Sequence, residues 1–94
     1  NSFQILGAFP HMHTLGRRIT YQLLRDGEGP ACGMEVPRWD FDWQRFYFYR
    51  EPIQVRAGDS LSVTCKYDTR EARRVVHFGE GTEDEMCLMA LYAI

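Results

Sequence analysis

The chain has 94 residues, a formal charge of −2 and 26% charged residues, with acids and bases intermixed along its length. A chain of this size makes one domain and buries about 60–70% of the surface its unfolded form exposes, so its core is modest. There is no basic field to recruit nucleic acid or an anionic membrane, and no apolar run approaches the ~20 residues that span a bilayer, so neither partner is expected.

The start at Asn1, with no basic and apolar signal pattern, reads as a processed or excised chain. Ser2 to Phe9 reads as a first strand leading to Pro10, whose ring fixes φ and stiffens the entry to His11-Met12-His13. In an extended segment, side chains two apart project from one face, so the two imidazoles can converge on one ion. Thr14-Leu15-Gly16 turns the chain. Arg17 to Arg25 then alternates, with Ile19, Tyr21 and Leu23 on one face and Arg18, Thr20 and Gln22 on the other, the pattern of a half-buried antiparallel strand.

Asp26-Gly27-Glu28-Gly29-Pro30 is a turn by composition. The segment to Val36 is weakly patterned and carries Cys32, read as a loop thiol that is free or bonded to a neighbouring domain. Arg38 to Tyr49 is strongly aromatic. Trp39, Phe41 and Trp43 alternate with Asp40 and Asp42, as in a strand whose rings pack into the core.

Pro52 interrupts before Ile53 and Val55, Ala57-Gly58-Asp59 turns, and Ser60 to Tyr67 places Leu61, Val63, Cys65 and Tyr67 on one face. A single helical turn is expected near Thr69 to Arg73, followed by an apolar run from Arg73 to Phe78 that contains His77. Gly79-Glu80-Gly81 is a flexible turn, and Thr82 to Glu85 reads as a solvated acidic approach to Met86. Met86 to Ile94 reads as a final strand, too hydrophobic to be an edge exposed on both faces. Seven or eight short strands separated by turn signals predict an all-β antiparallel sandwich or barrel, a single domain over residues 1–94.

Two imidazoles need a further ligand to hold a metal, and Met86 in Glu85-Met86-Cys87 is the best candidate. A soft thioether with two imidazoles suits copper better than zinc, and calcium or magnesium would want oxygen. His77 is a further candidate ligand, although a single histidine in a strand more often serves as a hydrogen-bonded structural residue. Of the three cysteines, Cys65 and Cys87 lie in apolar runs that a hairpin-like return could bring together. They form either a disulfide, worth about 3 kcal/mol, or two buried free thiols. A bridge would imply an oxidising compartment.

In combination, Phe9-Pro10-His11-Met12-His13-Thr14-Leu15-Gly16-Arg17, Ala57-Gly58-Asp59, Cys65-Lys66-Tyr67-Asp68-Thr69, Gly79 and Asp84-Glu85-Met86-Cys87 resemble the C-terminal domain of the copper type II, ascorbate-dependent monooxygenases. The resemblance covers nearly the whole chain. It implies a jelly-roll-like β-sandwich, ligation of the catalytic copper by His11, His13 and Met86, and a Cys65–Cys87 disulfide. The implied activity is hydroxylation of a C–H bond on a small-molecule or peptide substrate, with dioxygen as co-substrate and ascorbate as electron donor. The implied location is secreted, extracellular or periplasmic. The family's second copper sits in a preceding domain, and no second histidine cluster is present in these 94 residues, so the chain is expected to be the catalytic-copper half of a longer enzyme. A non-catalytic copper-binding or carrier module and a metal-free structural β-sandwich are the alternatives.

Overall fold

The computed structural model describes residues 2–70, 72, 75–81 and 84–94, with Trp43 described by its backbone alone. The expected turn over Thr69–Arg73, the run Arg73–Phe78 and the acidic stretch Thr82–Glu85 lie partly outside these residues.

The described residues form two three-stranded antiparallel sheets. β1 (Ser2–His11), β4 (Tyr47–Arg56) and β6 (Leu88–Ala93) make one, in the order β4-β1-β6. β2 (Gly16–Leu24), β3 (Ala31–Val36) and β5 (Ser60–Tyr67) make the other, in the order β3-β2-β5. The fold is thus an all-β sandwich.

The alternation expected in β2 is realised. Ile19, Tyr21 and Leu23 are buried and face the other sheet, where Leu23 clusters with Ile5 of β1 and Val55 of β4. The Tyr21 and Tyr49 hydroxyls bond to each other across the gap between the sheets, which satisfies two polar groups carried inward on large rings. A disulfide joins Cys65 of β5 to Cys87, just ahead of β6, so the two sheets are stapled to one another.

In β1 the pairing register shifts between Ile5 and Gly7 on both sides of the strand. This bulge absorbs one residue, so Ile5 and Ala8, which a regular strand would aim at opposite faces, are both fully buried. Beyond it Ala8, Pro10 and Met12 point inward, while Gly7, Phe9 and His11 lie on the outer face.

Three expectations about the strands are corrected. Strands number six among the described residues rather than seven or eight. The Trp39–Trp43 alternation does not make a strand: Phe41–Trp43 is a 3₁₀ turn, because the Asp40 side chain accepts a hydrogen bond from Asp42 N at 2.9 Å and caps it. Cys32 lies in a strand, β3, rather than a loop, and its thiol is exposed and free. β6 is an edge of its sheet but not one exposed on both faces: Leu88 and Tyr92 are on the surface, while Leu91 packs against the core.

Candidate metal centre

His11 ends β1, and His13 follows beyond the strand, at the start of the turn that Gly16 N closes on the His13 carbonyl. Between them Met12 is fully buried and packs on Gly16, where a Cβ would meet Met12 side-chain atoms at 2.8–2.9 Å. Burying Met12 turns its neighbours the other way. The two imidazoles meet edge to face, 5.1 Å between centroids, at 81°.

Each ring is oriented through Nδ1. His13 Nδ1 lies 2.9 Å from the Asp84 carbonyl oxygen, which can only accept, so this nitrogen carries the proton. His11 Nδ1 bonds to Gln44 Oε1, and the Gln44 amide is fixed because its Nε2 donates to Phe41 O at 2.9 Å. With Nδ1 the donor in both rings, the lone pair of each neutral imidazole sits on Nε2, the state required for coordination through that atom.

The surrounding chain holds this pair firmly. Trp39 Nε1 donates to the His13 carbonyl at 3.1 Å, and the Phe41 ring stands edge-on to His13 at 5.9 Å. Glu85 is buried, 7% exposed, and its two carboxylate oxygens accept from His13 N at 2.9 Å and Leu15 N at 2.8 Å. A solvated acidic turn was expected here; the correction is that Glu85 replaces water with two backbone donors.

Met86 lies between fixed points. Before it, Glu85 is tied to residues 13 and 15; after it come the disulfide of Cys87 and the register pair Leu88–His11. Its carbonyl accepts from the Tyr67 hydroxyl at 2.7 Å. Burial, and secondarily Glu85, raises the Tyr67 phenol above its ordinary value. The Met86 side chain is half-buried and lines a groove of about 360 Å³ together with Tyr67, Val76, His77 and Phe78. His77 therefore shares a groove with Met86, while its backbone carbonyl accepts from Glu85 N at 2.9 Å. Among the described residues no three His, Cys, Asp or Glu side chains form a metal cluster.

Along the outer face of the β1 sheet, rings continue from the pair. Phe9 stacks near His11 at 6.4 Å and meets Phe46 at 6.1 Å, and Phe46, Phe48 and Tyr92 contact one another at 5.2–6.4 Å. Gly7 is the floor beneath them, since a Cβ there would lie 2.9 Å from both the Phe46 and Phe48 rings. Phe48 and Tyr92 are 66% and 52% exposed, so this is an open aromatic surface.

Sequence reasoning missed Gln44, Trp39 and Glu85 as residues of this centre. Only Glu85 carried a signal, its place directly before Met86.

The fold and this centre define a class. The chain belongs to the family described as copper type II ascorbate-dependent monooxygenase, C-terminal domain, whose model matches residues 1–93. Its relatives include the tyramine beta-hydroxylase of Caenorhabditis briggsae, 34% identical over 82 residues, covering 87% of this chain and 14% of the relative. The dopamine beta-hydroxylase of Canis lupus familiaris is 27% identical over 78 residues, covering 83% of this chain and 12% of the relative. The peptidyl-glycine alpha-amidating monooxygenase of Mus musculus is 30% identical over 77 residues, covering 82% of this chain and 8% of the relative. The chain thus spans about a seventh or less of the length of these curated relatives.

Proposed function

We propose that residues 1–94 are the oxygen-activating, copper-binding domain of a longer ascorbate-dependent monooxygenase that hydroxylates a C–H bond. His11 and His13 would hold copper through Nε2, with Met86 as the third ligand. The observation that carries this reading is the hydrogen bonding of both Nδ1 atoms, which leaves a lone pair on Nε2 of each of two rings 5.1 Å apart, with the residue before Met86 bonded to the backbone of His13. The donor set fits copper: imidazole serves both of its oxidation states and thioether favours Cu(I). Bound copper supplies one-electron redox chemistry toward dioxygen.

The protein's own contribution is positional. Gln44 and the Asp84 carbonyl hold the rings in one tautomer, Trp39 and Phe41 wall the site, and the Phe9–Phe46–Phe48–Tyr92 surface offers an apolar seat beside it for the hydrocarbon part of a small-molecule or peptide substrate. In this reading a preceding domain of the same chain supplies the second copper and ascorbate supplies the electrons. The disulfide agrees with a secreted, extracellular or periplasmic location.

The test is copper titration of the wild type, Met86→Ala and a His11→Ala/His13→Ala variant, read by EPR for Cu(II) and by competition for Cu(I). The double histidine variant should lose both forms. Met86→Ala should lose Cu(I) affinity by about tenfold or more while keeping Cu(II). Unchanged affinity in both variants removes the proposal. Ascorbate-driven oxygen uptake by the full-length protein then separates an enzyme domain from a copper carrier, which would bind copper without uptake.

A further inference from the structure

The hydrogen-bond ladder between β1 and β6 ends at the pair His11–Leu88, and the chain then turns over Thr14 and Leu15, where Gly16 N donates to the His13 carbonyl at 3.3 Å. The backbone N–H groups of residues 13 and 15 lie beyond the last ladder pair. They are taken by one side chain, with Glu85 Oε1 accepting from His13 N at 2.9 Å and Oε2 from Leu15 N at 2.8 Å. One carboxylate therefore satisfies both donors of this turn, one oxygen to each N–H.

The rest of Glu85 is equally committed. Its N–H donates to the His77 carbonyl at 2.9 Å, and its carbonyl accepts from Gly79 N at 3.2 Å. The carbonyl just before it, that of Asp84, orients the His13 ring, and the carbonyl just after it, that of Met86, takes the Tyr67 hydroxyl. The position therefore joins three segments: the histidine pair, the Met86 approach and the chain around His77.

We infer that Glu85 is a positioning residue that sets the reach between the histidine pair and Met86, acting on the metal through Met86 rather than by ligating it. This rests on the ligand set proposed above. Neither close substitute can reproduce the contact. In Glu85→Gln the amide nitrogen can only donate, so one backbone N–H would face a donor. In Glu85→Asp the carboxylate is one methylene short of spanning both N–H groups.

The discriminating experiment compares wild type, Glu85→Gln, Met86→Ala and the double variant Glu85→Gln/Met86→Ala in the full-length protein. It reads Cu(I) affinity by competition and the copper–sulfur shell by X-ray absorption. Glu85→Gln should lower Cu(I) affinity by about tenfold or more, in the range expected for groups that orient metal ligands. It should also weaken the sulfur shell while leaving the nitrogen shell intact. In the double variant the loss should equal that of Met86→Ala alone, because two changes on one path do not add.

An unaltered sulfur shell in Glu85→Gln, or additive losses in the double variant, overturns the inference. If Glu85→Gln fails to fold, Glu85→Asp takes its place with the same expectations. Failure of both to fold, read by circular dichroism, assigns Glu85 to general stability and also overturns it. A wild type without a copper–sulfur shell instead refutes the ligand set itself, which keeps the two failures apart.

Discussion

Leu6 is the residue where β1 shifts its register, and that shift decides which way every later side chain of the strand points. Without it Ala8, Pro10 and Met12 would face outward and the histidines inward, since a slip of one residue exchanges the faces of a strand. Close contacts are set with similar economy elsewhere. At Gly33 a Cβ would lie 2.2–2.7 Å from the ring of Tyr21, which is 1% exposed and cannot retreat. Gly33→Ala should therefore destabilise the fold by about 1–3 kcal/mol in urea denaturation, the usual cost of overpacking. The Tyr21–Tyr49 pair makes a prediction about pH. Burial raises both phenols above their ordinary value of 10.0, so above pH 10 the unfolded chain loses protons that the folded chain keeps. Stability should be insensitive to these groups below pH 10 and fall as pH rises beyond it, and a Tyr21→Phe/Tyr49→Phe variant should show a shallower alkaline decline.

At the scale of elements, the strands that alternate cleanly were legible from the sequence, and those with another constraint were not. β2 follows its pattern because both its neighbours pair along it and one face is buried. The stretch Trp39–Trp43 alternates equally well, yet Asp40 caps a 3₁₀ turn, a local side-chain bond that hydrophobic pattern does not register. β3 escaped notice because Gly33 has no side chain to pattern; the Tyr21 ring fills its place. β6 is apolar although it is an edge, because its outward residues continue the aromatic surface through Tyr92. The disulfide links elements of different sheets across a separation of 22 residues. Its removal in Cys65→Ser/Cys87→Ser should cost about 3 kcal/mol, measured by thermal or urea unfolding. It should also lower Cu(I) affinity, since Cys87 anchors the chain directly after Met86.

Across the whole molecule, the candidate centre sits at the end of the sandwich where the two sheets are stapled and where β1 leaves its ladder. The histidine pair and Met86 could be named as candidate ligands from residue type and spacing. The groups that orient them could not, because Gln44 and Glu85 approach from 33 and 72 residues away along the chain and are ordinary polar residues in the sequence. Long-range hydrogen bonds of this sort exist only once the sheets have paired. The central claim is that two imidazoles and one thioether converge on a single copper ion. X-ray absorption on the Cu(I)-loaded protein tests it most directly. The account predicts a shell containing two imidazole nitrogens and one sulfur that disappears in Met86→Ala; a shell of nitrogen and oxygen alone in the wild type would contradict it.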